Sequence, residues 1–267
     1  MSNIFNKLQS ILSSITPISD INDINDPMMF SSAISQYKNG HALYRLDNNM
    51  FKYALIKPRQ RKTKVKHNIL PYLVDNILPS FSDLPARLKS NMFMSSPDEF
   101  AHPFGLHKYV CLVENDAKLA YIEKDFNVFR MPDGVIAVRD IYYLTRFLAN
   151  CYTPEIMYES FVNNTTYDDE FISVMIKTIS DNLHNESMQA EAKEVFSRKH
   201  YKAFLNDALD IGLIPAYDKY LQPLRQAIQT VTTDEINTIP PGCEVWTENQ
   251  FIAINIDKPK EYSWDTD

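Results

Sequence analysis

Phe93-Met94-Ser95-Ser96-Pro97, with Ala101 and Phe104-Gly105 behind it and Tyr109-Val110-Cys111-Leu112-Val113 beyond, is the stretch that decides the fold. Apolar residues give way to two hydroxyls, then to Pro-Asp-Glu, then to a second apolar run. That order reads as a strand, one helical turn and another strand. A strand ending in paired hydroxyls, with a short helix behind them, can bring polar groups to the floor of a cleft.

Further strands read outward from this pivot. Ala42-Leu43-Tyr44-Arg45-Leu46 and Phe51 to Ile56 lie upstream, and residues 90–95, 108–114 and 117–122 surround it. Cys243–Trp246 and Phe251–Ile256 follow the break at Pro240-Pro241-Gly242. Between these groups the texture changes. From Arg139 to about Val231 apolar residues recur at helical spacing, most clearly over 168–183, 186–209 and 216–228. Thr153-Pro154-Glu155 reads as a helix start, with Thr153 as N-cap and Pro154 at the first helical position. The pattern predicts an α+β fold: a mixed or antiparallel sheet built from N- and C-terminal strands, with a large helical block, 139–231, between them. Residues 1–27 read as an amphipathic helix (Ile4, Phe5, Leu8, Ile11, Leu12, Ile15) and a linker, 28–256 as a single α+β domain, and 257–267 as a charged tail.

Composition narrows the function classes. A chain of 267 residues with 45% hydrophobic residues has ample material for a core. Five glycines, with no GxGxxG and no GxxxxGK[ST], argue against dinucleotide-fold and P-loop phosphate cradles. A net charge of −7 argues against nucleic-acid binding by the whole surface. Cys111, Cys151 and Cys243 form no CxxC and no zinc spacing, and read as free thiols in a reducing compartment. The histidines show no HExxH, so no catalytic metal is expected. No apolar run reaches the roughly 18–20 residues that span a bilayer, and no secretory signal is expected.

Four features can carry chemistry, and each has a plainer reading. Arg45, at a strand end, can hold a phosphate through two parallel hydrogen bonds, or can be a surface arginine beside Asp47. Ser95 can orient a carboxylate or a ribose; Ser96 reads as the N-cap of a helix that begins at Pro97. Glu244 shares a strand face with Trp246, and a carboxylate beside an aromatic ring suits a sugar hydroxyl and a developing oxocarbenium ion; the alternative is an exposed strand glutamate. Lys57, Arg59, Arg61, Lys62, Lys64 and Lys66, followed by His67, form a basic island without an acid. It is either a solvated loop or a phosphate-contacting patch with Arg59, Arg61 and His67 turned inward.

Taken together, Tyr44-Arg45, Phe93-Met94-Ser95-Ser96 with Ala101 and Phe104, and Glu244-Val245-Trp246 with Phe251 resemble the arginine–serine–glutamate class of mono-ADP-ribosyltransferases. The stretch Arg59 to Tyr109 is similar to uncharacterised phage-encoded proteins of that fold, and the Asn-, Asp-, Ile- and Lys-rich texture suits an AT-rich genome. The resemblance implies NAD as the substrate and as the bound dinucleotide. It implies Arg45, with Ser96, Arg61 and His67, as residues that bind NAD, Ser95 as support for the site, and Glu244 as the residue that stabilises the cation formed when nicotinamide leaves. It implies ADP-ribosyl transfer to a protein or nucleic-acid acceptor, or NAD glycohydrolysis, in the host cytoplasm or from a virion. Two departures stand out: Pro97 replaces the third serine, and Gly242 holds the place where many members carry Gln or Glu. A non-enzymatic virion or host-interaction protein with a degenerate transferase-like core is the alternative.

Overall fold

The computed structural model describes residues 15–18, 27–58, 69–96, 106–122, 138–163, 169–195 and 199–257. Among the described residues, nine strands make one sheet: β1 (Ile15–Ile18), β2 (Leu43–Asp47), β3 (Tyr53–Ile56), β4 (Asn91–Met94), β5 (His107–Val113), β6 (Lys118–Ile122), β7 (Ile228–Thr232), β8 (Glu244–Thr247) and β9 (Phe251–Asn255). Their order across the sheet is β1-β3-β9-β5-β2-β4-β8-β6-β7. The registered pairs are antiparallel throughout. Strands from both ends of the chain alternate across this sheet, so the class is α+β.

The chain divides into two units. The first comprises residues 1–59, 89–123 and 230–267 and carries almost all of the sheet. Period-2 alternation gives this sheet two chemically distinct faces. On one face Leu43, Phe93, Tyr109, Cys111, Val113, Val245, Phe251 and Ala253 form a buried cluster. Phe93 and Phe251 meet edge to face there, with ring centroids 4.9 Å apart. Each such side chain contributes about 1.5–3 kcal/mol through burial. On the other face α1 (Ser31–Lys38) and the 3-10 turn before it bring Phe30 and Ala33 onto Val110, Leu112 and Ile252. Asn115 anchors that helix: its carboxamide accepts from the Ser32 amide at 3.0 Å and donates to the Met28 carbonyl at 2.7 Å.

The second unit comprises residues 60–88 and 124–229. Its helices are α2 (Ile69–Asn76), α3 (Val138–Tyr152), α4 (Glu155–Asn163), α5 (Asp169–Asn182), α6 (Glu186–Val195), α7 (Lys199–Ile211) and α8 (Leu213–Ala227). Ile141, Leu144, Leu148, Met175, Ile179, Phe204, Leu205 and Leu221 are buried in it. Gly212, at φ +94°, alone joins α7 to α8, a conformation that an L side chain resists. Buried Thr145 and Tyr217 share a hydroxyl–hydroxyl hydrogen bond of 2.7 Å.

Three local expectations change. Ile15–Ile18, expected within the helix and linker of 1–27, is a strand that pairs with β3 from Ile15↔Ile56 to Ile18↔Tyr53. The helical block stops at Ala227, not near Val231, because four of the five residues of Ile228-Gln229-Thr230-Val231-Thr232 are β-branched and the segment forms β7. α4 starts at Glu155, one residue later than expected, and the Thr153 hydroxyl turns back and donates to the Ala149 carbonyl at 2.6 Å. That back-bond is a known alternative for threonine at a helix end.

Candidate functional site

The three pieces singled out on sequence lie on three neighbouring strands. β2 carries Arg45, β4 ends beside Ser95, and β8 begins with Glu244, and these strands are consecutive in the sheet. The register makes the relation exact at one row: Tyr44 pairs with Met94, and Met94 pairs with Glu244. On the far side of β8, Glu244 pairs with Ile122 of β6.

Ser95 is fully engaged by backbone. Its hydroxyl donates to the Pro240 carbonyl at 2.6 Å and accepts from the Cys243 amide at 2.8 Å. Its own amide donates to the Cys243 carbonyl at 3.0 Å. One side chain therefore bridges both ends of the Pro240–Cys243 turn, which leads directly into Glu244. Gly242, in that turn, has φ +85°. This explains in physical terms why the position two before Glu244 is glycine: a glutamate or glutamine there would be strained in the left-handed region.

Arg45 goes elsewhere. Residues on the Tyr44–Met94–Glu244 row share one sheet face, so Arg45, one residue along, points to the other. Its partners agree. Its guanidinium donates to Asp47 at 3.4 Å and to Asn91 at 3.5 Å, and lies 5.8 Å from the centre of the Phe251 ring. Both members of the Arg45–Asp47 pair are largely buried, with side chains 19% and 12% exposed. Asp47 also receives the Asn49 amide and carboxamide, each at 3.0 Å. Asn91 passes the chain on by donating to the Asn249 carbonyl at 3.3 Å. Arg45 thus ties β2 to β4 and to the β8–β9 turn, and the sequence signal for it, Asp47 two residues on, belonged to the plainer reading.

Glu244 is half-buried. Around it on the same face, Tyr44, Leu46, Met92 and Met94 are also half-buried, whereas Trp246 is 3% exposed and Ala120 and Ile122 are buried. Ser96 is half-buried too, but Pro97 and the helical turn that it was expected to cap lie outside the described residues, as do Ala101 and Phe104. Arg59, Arg61, His67 and the rest of the basic island beyond Pro58 also lie outside them.

Other polar groups form structural clasps that sequence reading missed. His107 Nδ1 meets Asp257 at 2.8 Å, while the other Asp257 oxygen accepts from the Lys108 amide at 3.0 Å. Burial raises the Asp257 carboxyl, but the Lys108 amide and His107 outweigh it and hold the group below the ordinary range. The three cysteines are buried and form no disulfide among the described residues, and burial pushes the Cys111 thiol far up. Among the described residues there is no cluster of His, Cys, Asp and Glu arranged to hold a metal ion, and no helix is long and apolar enough to cross a membrane. Compared with known proteins, the chain matches no family model, no curated protein and no solved structure.

Proposed function

We propose that this protein cleaves NAD at the nicotinamide–ribose bond and passes the ADP-ribosyl group to water or to an acceptor nucleophile, with Glu244 as the catalytic carboxylate. One observation carries the reading. The strands bearing Arg45, Ser95 and Glu244, drawn from positions some 50 and 150 residues apart, are consecutive in the sheet. Tyr44, Met94 and Glu244 share one row. In the reaction the C1′–N bond breaks and its electron pair leaves on nicotinamide, which departs neutral. Positive charge develops on the ribosyl carbon, and a fixed carboxylate beside it lowers the barrier; one such contact commonly supplies about 3 kcal/mol. Water then gives ADP-ribose and a proton, or an acceptor gives the adduct. Ser95 acts at one remove, by fixing the turn that delivers Glu244. Nicotinamide release by the purified protein, lost in Glu244→Gln while the fold is kept, tests the reading.

A second reading is favoured by Arg45. Its hydrogen bonds to Asp47 and Asn91, on the face away from Glu244, count against the dinucleotide-binding role that the resemblance implies. That supports a non-enzymatic virion or host-interaction protein on a transferase-like sheet. Fixed stoichiometry in purified particles, together with no nicotinamide release, would favour it.

A further inference from the structure

We propose that α3 and α4 together bind a nucleoside monophosphate, with Arg146 and the Tyr158 hydroxyl on the phosphate and the ring of Tyr143 against the base. The site belongs to the helical unit and not to the sheet that carries Glu244, so it is independent of the NAD-cleaving reading.

Helical spacing builds the cluster. Tyr142 and Tyr143 stand four and three residues before Arg146, so the three share one side of α3. Tyr158 and Phe161, three residues apart, share one side of α4. Across the two helices the Tyr142 and Phe161 rings meet with centroids 5.8 Å apart, and Arg146 donates a hydrogen bond to the Tyr158 hydroxyl. Tyr142 is 8% exposed and meets the Tyr143 ring edge to face at 5.5 Å, whereas Tyr143 is 40% exposed. Arg146 and Tyr158 are half-buried. A buried aromatic floor thus carries a cation, a phenol and an exposed ring side by side.

The chemistry of this cluster is that of an anion site. Among the described residues the electrostatic neighbours of Arg146 are three tyrosines and no carboxylate. A guanidinium holds its N–H donors in a fixed fork, and the Tyr158 hydroxyl engages only part of it. Because that hydroxyl accepts through a lone pair, its own O–H is left to donate. A guanidinium fork with a phenol donor beside it matches the oxygens of a phosphate. Tyr143 adds an exposed ring on which any flat base can stack. Inorganic phosphate or a simple carboxylate would use the cation and leave the ring idle. A nucleic-acid strand needs a track of cations, but this cluster holds one among the described residues, α4 also carries exposed Glu155 and Glu159, and the chain has a net charge of −7. One phosphate and one base suit it.

The test is calorimetric titration of the full chain with AMP, adenosine and inorganic phosphate. AMP should bind about tenfold or more tightly than either fragment. Arg146→Met, which keeps the aliphatic stem, should weaken AMP about tenfold, and Arg146→Lys should recover only part of the loss because lysine lacks the fork. Tyr143→Ala should bring AMP down to the affinity of inorganic phosphate, with Tyr143→Phe close to the parent. Glu244→Gln should leave AMP binding unchanged, which separates this site from the one proposed for NAD cleavage. Circular dichroism and thermal melting of each variant control for folding. No binding of AMP, AMP bound no more tightly than inorganic phosphate, or unchanged binding in folded Arg146→Met would each overturn the proposal. AMP binding lost in Glu244→Gln but kept in Arg146→Met would move the nucleotide to the sheet. Affinity that climbs with oligonucleotide length and falls steeply with salt would replace the mononucleotide by a strand, and would overturn the proposal as well.

Discussion

Replacing Ser95 with alanine removes one hydroxyl and two hydrogen bonds at once. The bond to the Pro240 carbonyl is solvent-exposed and the bond from the Cys243 amide is part-buried. A hydrogen bond in such settings contributes about 0.5–1.5 kcal/mol, and a buried donor left without a partner costs about 1–3 kcal/mol. Cys243 is 1% exposed, so its amide gains little from water when the hydroxyl is gone. The sum for Ser95→Ala is about 2 kcal/mol. For a unit of this size, that lowers the melting temperature by about 4–8 °C. Differential scanning calorimetry reads the loss, and hydrogen exchange at the Cys243 amide localises it. Ser95→Thr, which keeps the hydroxyl, should recover most of both. If the turn also positions Glu244, nicotinamide release should fall in kcat rather than rise in KM. An alanine variant with unchanged melting and unchanged protection at Cys243 would refute the bridge, and with it the account of how Glu244 is held.

Other consequences follow from the same contacts. Arg45→Ala strands Asp47 in a largely buried site and should destabilise the protein by about 1–3 kcal/mol, with a double-mutant cycle against Asp47→Asn returning a favourable coupling; unaltered stability with a raised KM for NAD would instead put Arg45 on the substrate. Asp257 titrates below the ordinary carboxylate range in the folded state, so its clasp stabilises the protein above the unfolded carboxyl value and is lost as pH falls through the folded one. The stability gap between the parent and Asp257→Asn should therefore shrink below about pH 4, and a gap that widens in acid would contradict the assignment. A disulfide-exchange reagent should find the three buried cysteines unreactive in the native protein and all of them reactive in denaturant, and rapid native labelling would contradict their burial.

Much of this fold is legible in the chain, and the reasons are local. Tyr109 to Val113 is a continuous apolar run bounded by turn residues, and it is the central strand β5. Phe251 to Ile256 behaves likewise in β9, and the helices at 69–76, 169–182 and 213–227 follow their apolar spacing. β7 was lost to the helical window before it, since a strand of five residues directly after a helix leaves no turn signal. The class of fold is a sum over such segments and survives one local error.

The site is less legible because it depends on register. Alternation tells which residues of one strand share a face, but the phase of one strand against another is fixed by interstrand hydrogen bonds between distant segments. Arg45 and Glu244 each look suited to a cleft when read alone, and a one-residue offset across β2, β4 and β8 puts them on opposite faces. Ser95 was legible as important but not in its role, because its partners lie some 145 residues onward in the backbone of the Pro240–Cys243 turn. The departure at Gly242 was visible in sequence, and its cause, a left-handed backbone, was not.

The most direct test of the account is nicotinamide release from NAD by the purified protein, measured in parallel with Glu244→Gln of matched folding. Release by the parent and loss in the variant by about a hundredfold or more is the predicted result. Release that persists undiminished in folded Glu244→Gln, or no release by the parent at all, would contradict it.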